Sequence, residues 1–255
     1  MTDIFDSHAH YADEKFDADR DLLLQKWLPE AGIKYIMLAG IQIPDCQKSA
    51  QLAADYDYIY YSAGLHPSYL DSRPPDWETQ LCQLLTSPKC KALGEIGLDY
   101  HTGNENRDLQ KKLFIRQLEI AQEYDLPVIL HIRDAIGDAI EILKNYHPRG
   151  VMHCYNGSAD TAQELLHIPD LYFSFAGVIT YKNARKPLEA VSVIPSDRIM
   201  IETDSPWLAP EPFRHQRTDS RMILRTAQKA AEIRNESVQD FISQCCENAC
   251  RLFRI

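Results

Sequence analysis

Apolar residues gather along this chain in short runs, and between the runs they recur at helical spacing. Eight runs stand out: DIFDSH, IKYIMLAG, IYYSAGLH, CKALGEIG, LPVILH, GVMHC, LYFSFAG and RIMIETD. Short apolar or β-branched runs predict strands, and strands alternating with amphipathic helices predict βαβ units and a parallel sheet. In ENRDLQKKLFIRQLEIAQEY, Leu109, Leu113, Phe114, Leu118 and Ala121 fall at three- and four-residue steps and predict a core-facing side. Pro127 ends that helix and starts the next strand. Further on, Ser237 and Asp240 resemble a capping box, followed by an apolar stripe through Phe241, Cys245 or Cys246, Ala249 and Phe253. The proline-rich pieces SRPPDW and PWLAPEPF read as ordered loops near strand ends. Together the eight units predict an α/β fold, a single (β/α)8 TIM barrel spanning residues 1–255 as one domain.

Composition narrows the function classes. The chain has 255 residues, 45% of them hydrophobic, enough for a large core. Its formal net charge of −10 repels a phosphate backbone at long range and argues against a tight nonspecific duplex binder. Small substrates, or nucleic acid held at a local site, stay open. The seven cysteines are odd in number and scattered, with Cys245, Cys246 and Cys250 in a helical pattern, so they read as reduced thiols. No basic leader with an apolar core and no apolar run near ~18 residues is visible, which predicts a cytoplasmic protein without a membrane span.

The candidate chemistry lies at the ends of the predicted strands. In DIFDSHAHY, alternation puts His8 and His10 on one face, where two imidazoles suit one metal ion. His66 ends the third run, Glu95 the fourth, His131 the fifth, His153 the sixth, and Glu202 and Asp204 the eighth. In a barrel those carboxyl ends converge on one face, where the active site lies. The donor types divide into one ion on His8, His10 and Asp204 and a second on His131 and His153, with Glu95 bridging. Four histidines and two carboxylates suit zinc or manganese better than magnesium, which prefers an all-oxygen shell; magnesium, cobalt and nickel remain alternatives.

The motifs DSHAH, GLHP, GEIGLDY, LPVILHIRDA, HCYNGS, GVITYKNA, IETDSPWLAP and ENACRLF, in this order, resemble the TatD family of metal-dependent hydrolases. The resemblance runs along the whole chain. It implies an amidohydrolase-type barrel and a deoxyribonuclease that removes nucleotides from a DNA 3′ end. It also implies His8, His10, Glu95, His131, His153 and Asp204 as ligands of two divalent metals, in agreement with the strand-end reading. One stretch departs from the family pattern. Where the family commonly reads R-G-K-R-N-E-P, this chain has RHQRTDS, which keeps arginine at Arg214 and Arg217 and loses the glycine, lysine, asparagine and proline. Likewise HCYNG stands where H-C-F-S-G is common.

The mechanism expected is attack on phosphorus by a hydroxide held between the two dications. Asp204 would orient the water and take its proton, and Glu95 would bridge the metals. His66, Arg133, Arg214 and Arg217 are candidates for contacts to substrate phosphates, with Lys182 and Arg185 near the rim. Asp99 is expected to hold a ligand imidazole. Glu202 and Asp6 are expected as buried partners of basic groups, and Tyr100 and Tyr155 as packing. DNA is the expected substrate, with RNA as an alternative; no protein partner is indicated. The competing readings are a hydrolase of a small amide, lactone or phosphoester with the same dinuclear site, and a non-catalytic metalloprotein.

Overall fold

The computed structural model describes residues 3–101 and 105–255. All eight predicted strands are present: β1 (Ile4–Ala9), β2 (Ile33–Leu38), β3 (Ile59–Ala63), β4 (Cys90–Asp99), β5 (Val128–Arg133), β6 (Gly150–Met152), β7 (Leu171–Phe175) and β8 (Ile199–Ile201). They pair in sequence order, every pair parallel. A parallel bridge between Ala9 and Ser205 joins the first strand to the segment after the last, so the sheet closes into a (β/α)8 barrel.

Alternation along each strand sorts the core into two layers. Outward residues such as Val128 and Leu130 join the large cluster beneath the surrounding helices. Inward residues form a second cluster: Phe5, Met37, Ala92, Ile129, Val151, Tyr172 and Met200. Ile129, Val151 and Tyr172 are register partners across β5, β6 and β7 and share a face. Two residues on from Ile129 and Val151, on the same inward face, come His131 and His153. The barrel is therefore filled with apolar side chains toward the amino ends of its strands and turns polar at the carboxyl ends.

The helix Val238–Phe253 closes the amino end. Its Cys246, Ala249, Leu252 and Phe253 join the inward cluster, and the Phe253 ring lies 5.9 Å from that of Phe5. Asn248 fixes it to β8 by donating to the Ile199 and Ser196 carbonyls, both at 2.7 Å. Ser237 caps this helix, its hydroxyl accepting the Asp240 N–H at 3.0 Å. All seven cysteines are free thiols.

One predicted core residue lies outside. Leu113, Phe114, Leu118 and Ala121 of the Arg107–Glu123 helix are buried, but Leu109 is 46% exposed. The buried place at that end goes to Gln110, whose amide takes the Asp99 N–H and donates to the Asp99 carbonyl, both at 2.9 Å. One strand end's unpaired backbone groups outweigh the burial of one leucine.

Candidate metal centre

The end of β1 and the segment after β8 build one half of the site together. The Asp204 N–H donates to the His8 carbonyl at 2.9 Å, and the His10 N–H to the Ser205 carbonyl at 2.7 Å. Asp204 sits at φ 58°, a left-handed conformation that aspartate tolerates better than most residues. His8 and His10 aim their Nε2 atoms at one point, 3.1 Å apart. Asp204 Oδ1 lies 3.2 Å from His10 Nε2 and 3.7 Å from His8 Nε2.

β4, β5 and β6 supply the other half. Glu95 Oε1 lies 2.8 Å from His131 Nδ1 and 3.1 Å from His153 Nε2. Its other oxygen faces the first half, 3.4 Å from His8 Nε2 and 3.9 Å from His10 Nε2. One carboxylate thus stands between two imidazole pairs. Gly97 makes this approach of β4 to β5 possible: its φ is 145°, and a Cβ there would fall 2.0 Å from the His131 carbonyl oxygen.

The donor set fits divalent metal. The separations among His8, His10, Glu95 Oε2 and Asp204 Oδ1 given above span 3.1 to 3.9 Å. A tetrahedron with bonds of about 2.1 Å has edges of about 3.4 Å, inside that range. Glu95, His131 and His153 form a second compact trio. Burial pushes the Glu95 carboxyl up, but the His153 charge and the bonds from His131 and His153 outweigh it and hold it well below the usual carboxylate range. Burial opposes charge on His153 too, yet Glu95 and Glu202 raise its imidazole well above the ordinary value. These are groups arranged to concentrate negative charge around a cation.

Behind the inner imidazoles stand two further carboxylates. Asp99 Oδ2 lies 3.0 Å from His131 Nε2, and Glu202 Oε1 lies 3.0 Å from His153 Nδ1 while accepting the Cys154 N–H at 2.7 Å. Asp6 differs from expectation. It meets no basic side chain but accepts from the Thr203 N–H at 2.9 Å and from the Thr203 and Ser220 hydroxyls, both at 2.6 Å. It ties β1 to the chain beyond β8 through neutral donors, and burial pushes its carboxyl up to about 6.

His66 faces Glu95 Oε1 at 3.7 Å. Its Nδ1 accepts the Ser68 N–H at 3.1 Å, and burial lowers the ring to about 4. A neutral imidazole whose Nδ1 accepts carries its proton on Nε2, so His66 offers the centre a donor. Two residues that the sequence reading did not single out position these loops. Gln117 receives the Leu65 N–H at 2.8 Å and donates to the Leu65 carbonyl at 3.0 Å, beside His66. Gln110, seven residues earlier on the same helix, does the same at Asp99. Their mark in the sequence is an amide recurring at two-turn spacing within a helix that is otherwise apolar on that side.

The arginines part company. Arg133 ends β5 on a cleft of about 480 Å³ that also takes in His153 and Lys186. Arg214 lies exposed, its guanidinium 4.4 Å above the Tyr181 ring. Arg217 grips Asp19 with both terminal nitrogens, at 2.7 and 2.6 Å, and donates to the Lys15 carbonyl at 2.8 Å. It clamps the loop after β8 to the loop after β1. Arg185 pairs with Glu189 on its own helix, and Lys182 is exposed. Tyr100 and Tyr155 pack: their hydroxyls donate to Asp138 at 2.7 Å and to the Ser158 carbonyl at 2.8 Å.

The family model described as TatD related DNase matches residues 5–254. The chain belongs to the TatD family. Among its TatD-family relatives, a Bacillus subtilis protein named as an uncharacterized metal-dependent hydrolase, YabD, is 37% identical over 255 residues, 99% of each chain. The 3′-5′ ssDNA/RNA exonuclease TatD of Erwinia tasmaniensis is 30% identical over 261 residues, covering 99% of this chain and 100% of that one. The crystal structure of YjjV, a TatD homologue from Escherichia coli K12, superposes with a TM-score of 0.92 at 28% identity, covering 99% of this chain and 98% of that one. The protein is a metal-dependent hydrolase of the TatD family, and its His, Asp and Glu clusters have the make-up to bind metal. No helix among the described residues is long and apolar enough to cross a membrane.

Proposed function

We propose that this TatD-family protein hydrolyses phosphodiester bonds of single-stranded nucleic acid, removing nucleotides from DNA 3′ ends. The observation that carries the reading is the Glu95 carboxylate set between two imidazole pairs, with one neighbouring cleft bordered by His153 and another sharing Trp207 with the cavity over the centre. Two divalent ions would be held by His8, His10 and Asp204 and by His131 and His153, with Glu95 shared. When bound, they supply charge neutralisation at the phosphoryl oxygens and a lower pKa for water. Asp204 turns one oxygen to the imidazoles; its second oxygen orients the attacking water and takes its proton. The His66 Nε2–H donates a hydrogen bond to a phosphoryl oxygen and keeps its proton. Arg133 and Arg214, each without a carboxylate within 4.0 Å among the described residues, take flanking phosphates. Arg217, already spanned by Asp19, acts by holding its loop in place.

The named activity of the Erwinia relative supports this choice of bond. The cavity directly over the centre is small, about 220 Å³, and that favours a second reading, hydrolysis of a small amide, lactone or phosphoester. The two side clefts favour a polymer. Purified protein with manganese or zinc is expected to shorten 3′-extended single-stranded DNA stepwise, and chelator to stop it. Turnover of amides or lactones by the two-metal protein, with DNA and RNA left intact, would overturn the nuclease reading.

A further inference from the structure

Residues 213–216 form a tight turn on the rim, closed by the Gln216 N–H on the Phe213 carbonyl at 3.0 Å. Its third residue, His215, has φ 73°. A turn with positive φ at that position ordinarily takes glycine, because an L side chain is strained there. The R-G-K-R pattern that this segment resembles has glycine at the same place. Here the backbone is left-handed and the position carries an imidazole. Burial does not compensate for the strain, because His215 is exposed. Nor does a hydrogen bond, since neither the His215 ring nor the Gln216 amide is among the side-chain hydrogen bonds of the described residues.

His215 and Gln216 both line a cleft of about 550 Å³ beside the metal centre. Trp207 is the wall the two share: it borders both cavities and meets the His10 ring edge-on at 5.0 Å. Over the indole, at 5.2 Å, lies the Lys15 ammonium, and the Arg214 guanidinium lies over the Tyr181 ring, which lines the same cleft. The cleft therefore holds an aromatic wall, two cations without carboxylate partners among the described residues, and two side chains that both donate and accept. A nucleotide needs these things together: a face for its base, cations for its phosphate, and hydrogen-bonding partners for the base edge.

We propose that this cleft holds one nucleotide of the single-stranded substrate next to the bond being cut, and that His215 and Gln216 read its base. The base packs on Trp207 and displaces the Lys15 ammonium, which turns to the phosphate with Arg214. His215 and Gln216 are specificity-determining residues and take no part in the bond cleavage. The proposal rests on the nuclease reading above and adds to it a preference among bases.

The test compares the homopolymers (dA)10, (dC)10 and (dT)10 in two ways. One is kcat/KM with manganese bound; the other is fluorescence anisotropy of labelled oligomers with the chelator-treated protein. The native protein is expected to separate the best from the worst homopolymer by about tenfold in both. His215→Gly is expected to shrink the spread to about twofold and to melt no lower than the native protein, since glycine relieves the turn; Gln216→Ala shrinks it by a smaller factor. Trp207→Leu is expected to weaken all three oligomers by about five- to tenfold without changing their order. Cleavage of all homopolymers at equal rates, or a spread that His215→Gly leaves intact, overturns this proposal and leaves the nuclease reading standing. Absence of both cleavage and binding overturns the two together.

Discussion

The two imidazole pairs that face Glu95 are supported unequally. Behind His131 stands Asp99 and behind His153 stands Glu202, each at 3.0 Å. Behind His8 and His10 no such carboxylate is bonded: their buried Nδ1 atoms have no hydrogen-bond partner among the described residues. A carboxylate behind an imidazole fixes its tautomer, orients the ring and raises its basicity. The β5–β6 half is a preorganised template. The β1 half depends on Asp204, brought in by the segment after β8. If two ions bind as proposed, the inequality predicts a tight position and an exchangeable one, with the difference set by the groups behind the imidazoles.

Several substitutions would break or sharpen that contrast. Glu95→Ala removes the group both halves share; kcat on single-stranded DNA is expected to fall at least about a thousandfold, with metal content by mass spectrometry dropping at both positions. His10→Ala strikes only the unbuttressed half. A chelator titration should then show one retained, tightly held ion per chain, whereas the native protein is expected to lose two ions in separate steps. Glu202→Gln weakens the buttressed half by about 10- to 100-fold in metal affinity. That brings the two steps together, and a titration that keeps them apart would show the contrast to have another source.

A last effect, a change of slope, is in acid, on the metal-free protein. Asp99, beside His131, is held down to about 2, so its contribution is present above the unfolded value near 3.8 and lost as pH falls toward 2. Asp6, on the β1 side, is raised to about 6. Its native state holds a proton the unfolded chain has released, so its contribution is full below pH 3.8 and lost as pH rises through 6, at most about 3 kcal/mol. Denaturant melts of native protein and Asp6→Asn across pH 4 to 7 should differ in slope, the variant lacking the decline.

Much of this was legible because strand ends are legible. Apolar runs locate the strands, and the histidines and carboxylates at the ends of six of the eight are placed by barrel topology alone, which is why distant side chains could be expected at one rim. The strands themselves stop earlier than the runs at β6 and β8: His153, Glu202 and Asp204 lie just past the ladder, where the backbone is free to aim them. Periodicity failed where a neighbour's needs decided the outcome. Leu109 lost its place to Gln110 because the Asp99 backbone lacked partners. Asp6 met hydroxyls instead of a base because Thr203 and Ser220 arrive from the far end of the chain. Arg217 matched a motif position, yet Asp19, almost two hundred residues away, holds it. The tautomer of His66 depends on a backbone N–H two residues on, which no residue pattern records.

The parallel bridge between Ala9 and Ser205 has a consequence in the order of synthesis. β1 leaves the ribosome first, yet it closes against β8 and the Val238–Phe253 helix, which leave late. Glu95, His131 and His153 can come together as soon as the middle strands exist. His8 and His10 must wait, their open edge uncovered, until almost two hundred residues have followed them and Asp204 and Ser205 arrive, and a chain stopped before that point would carry half a centre.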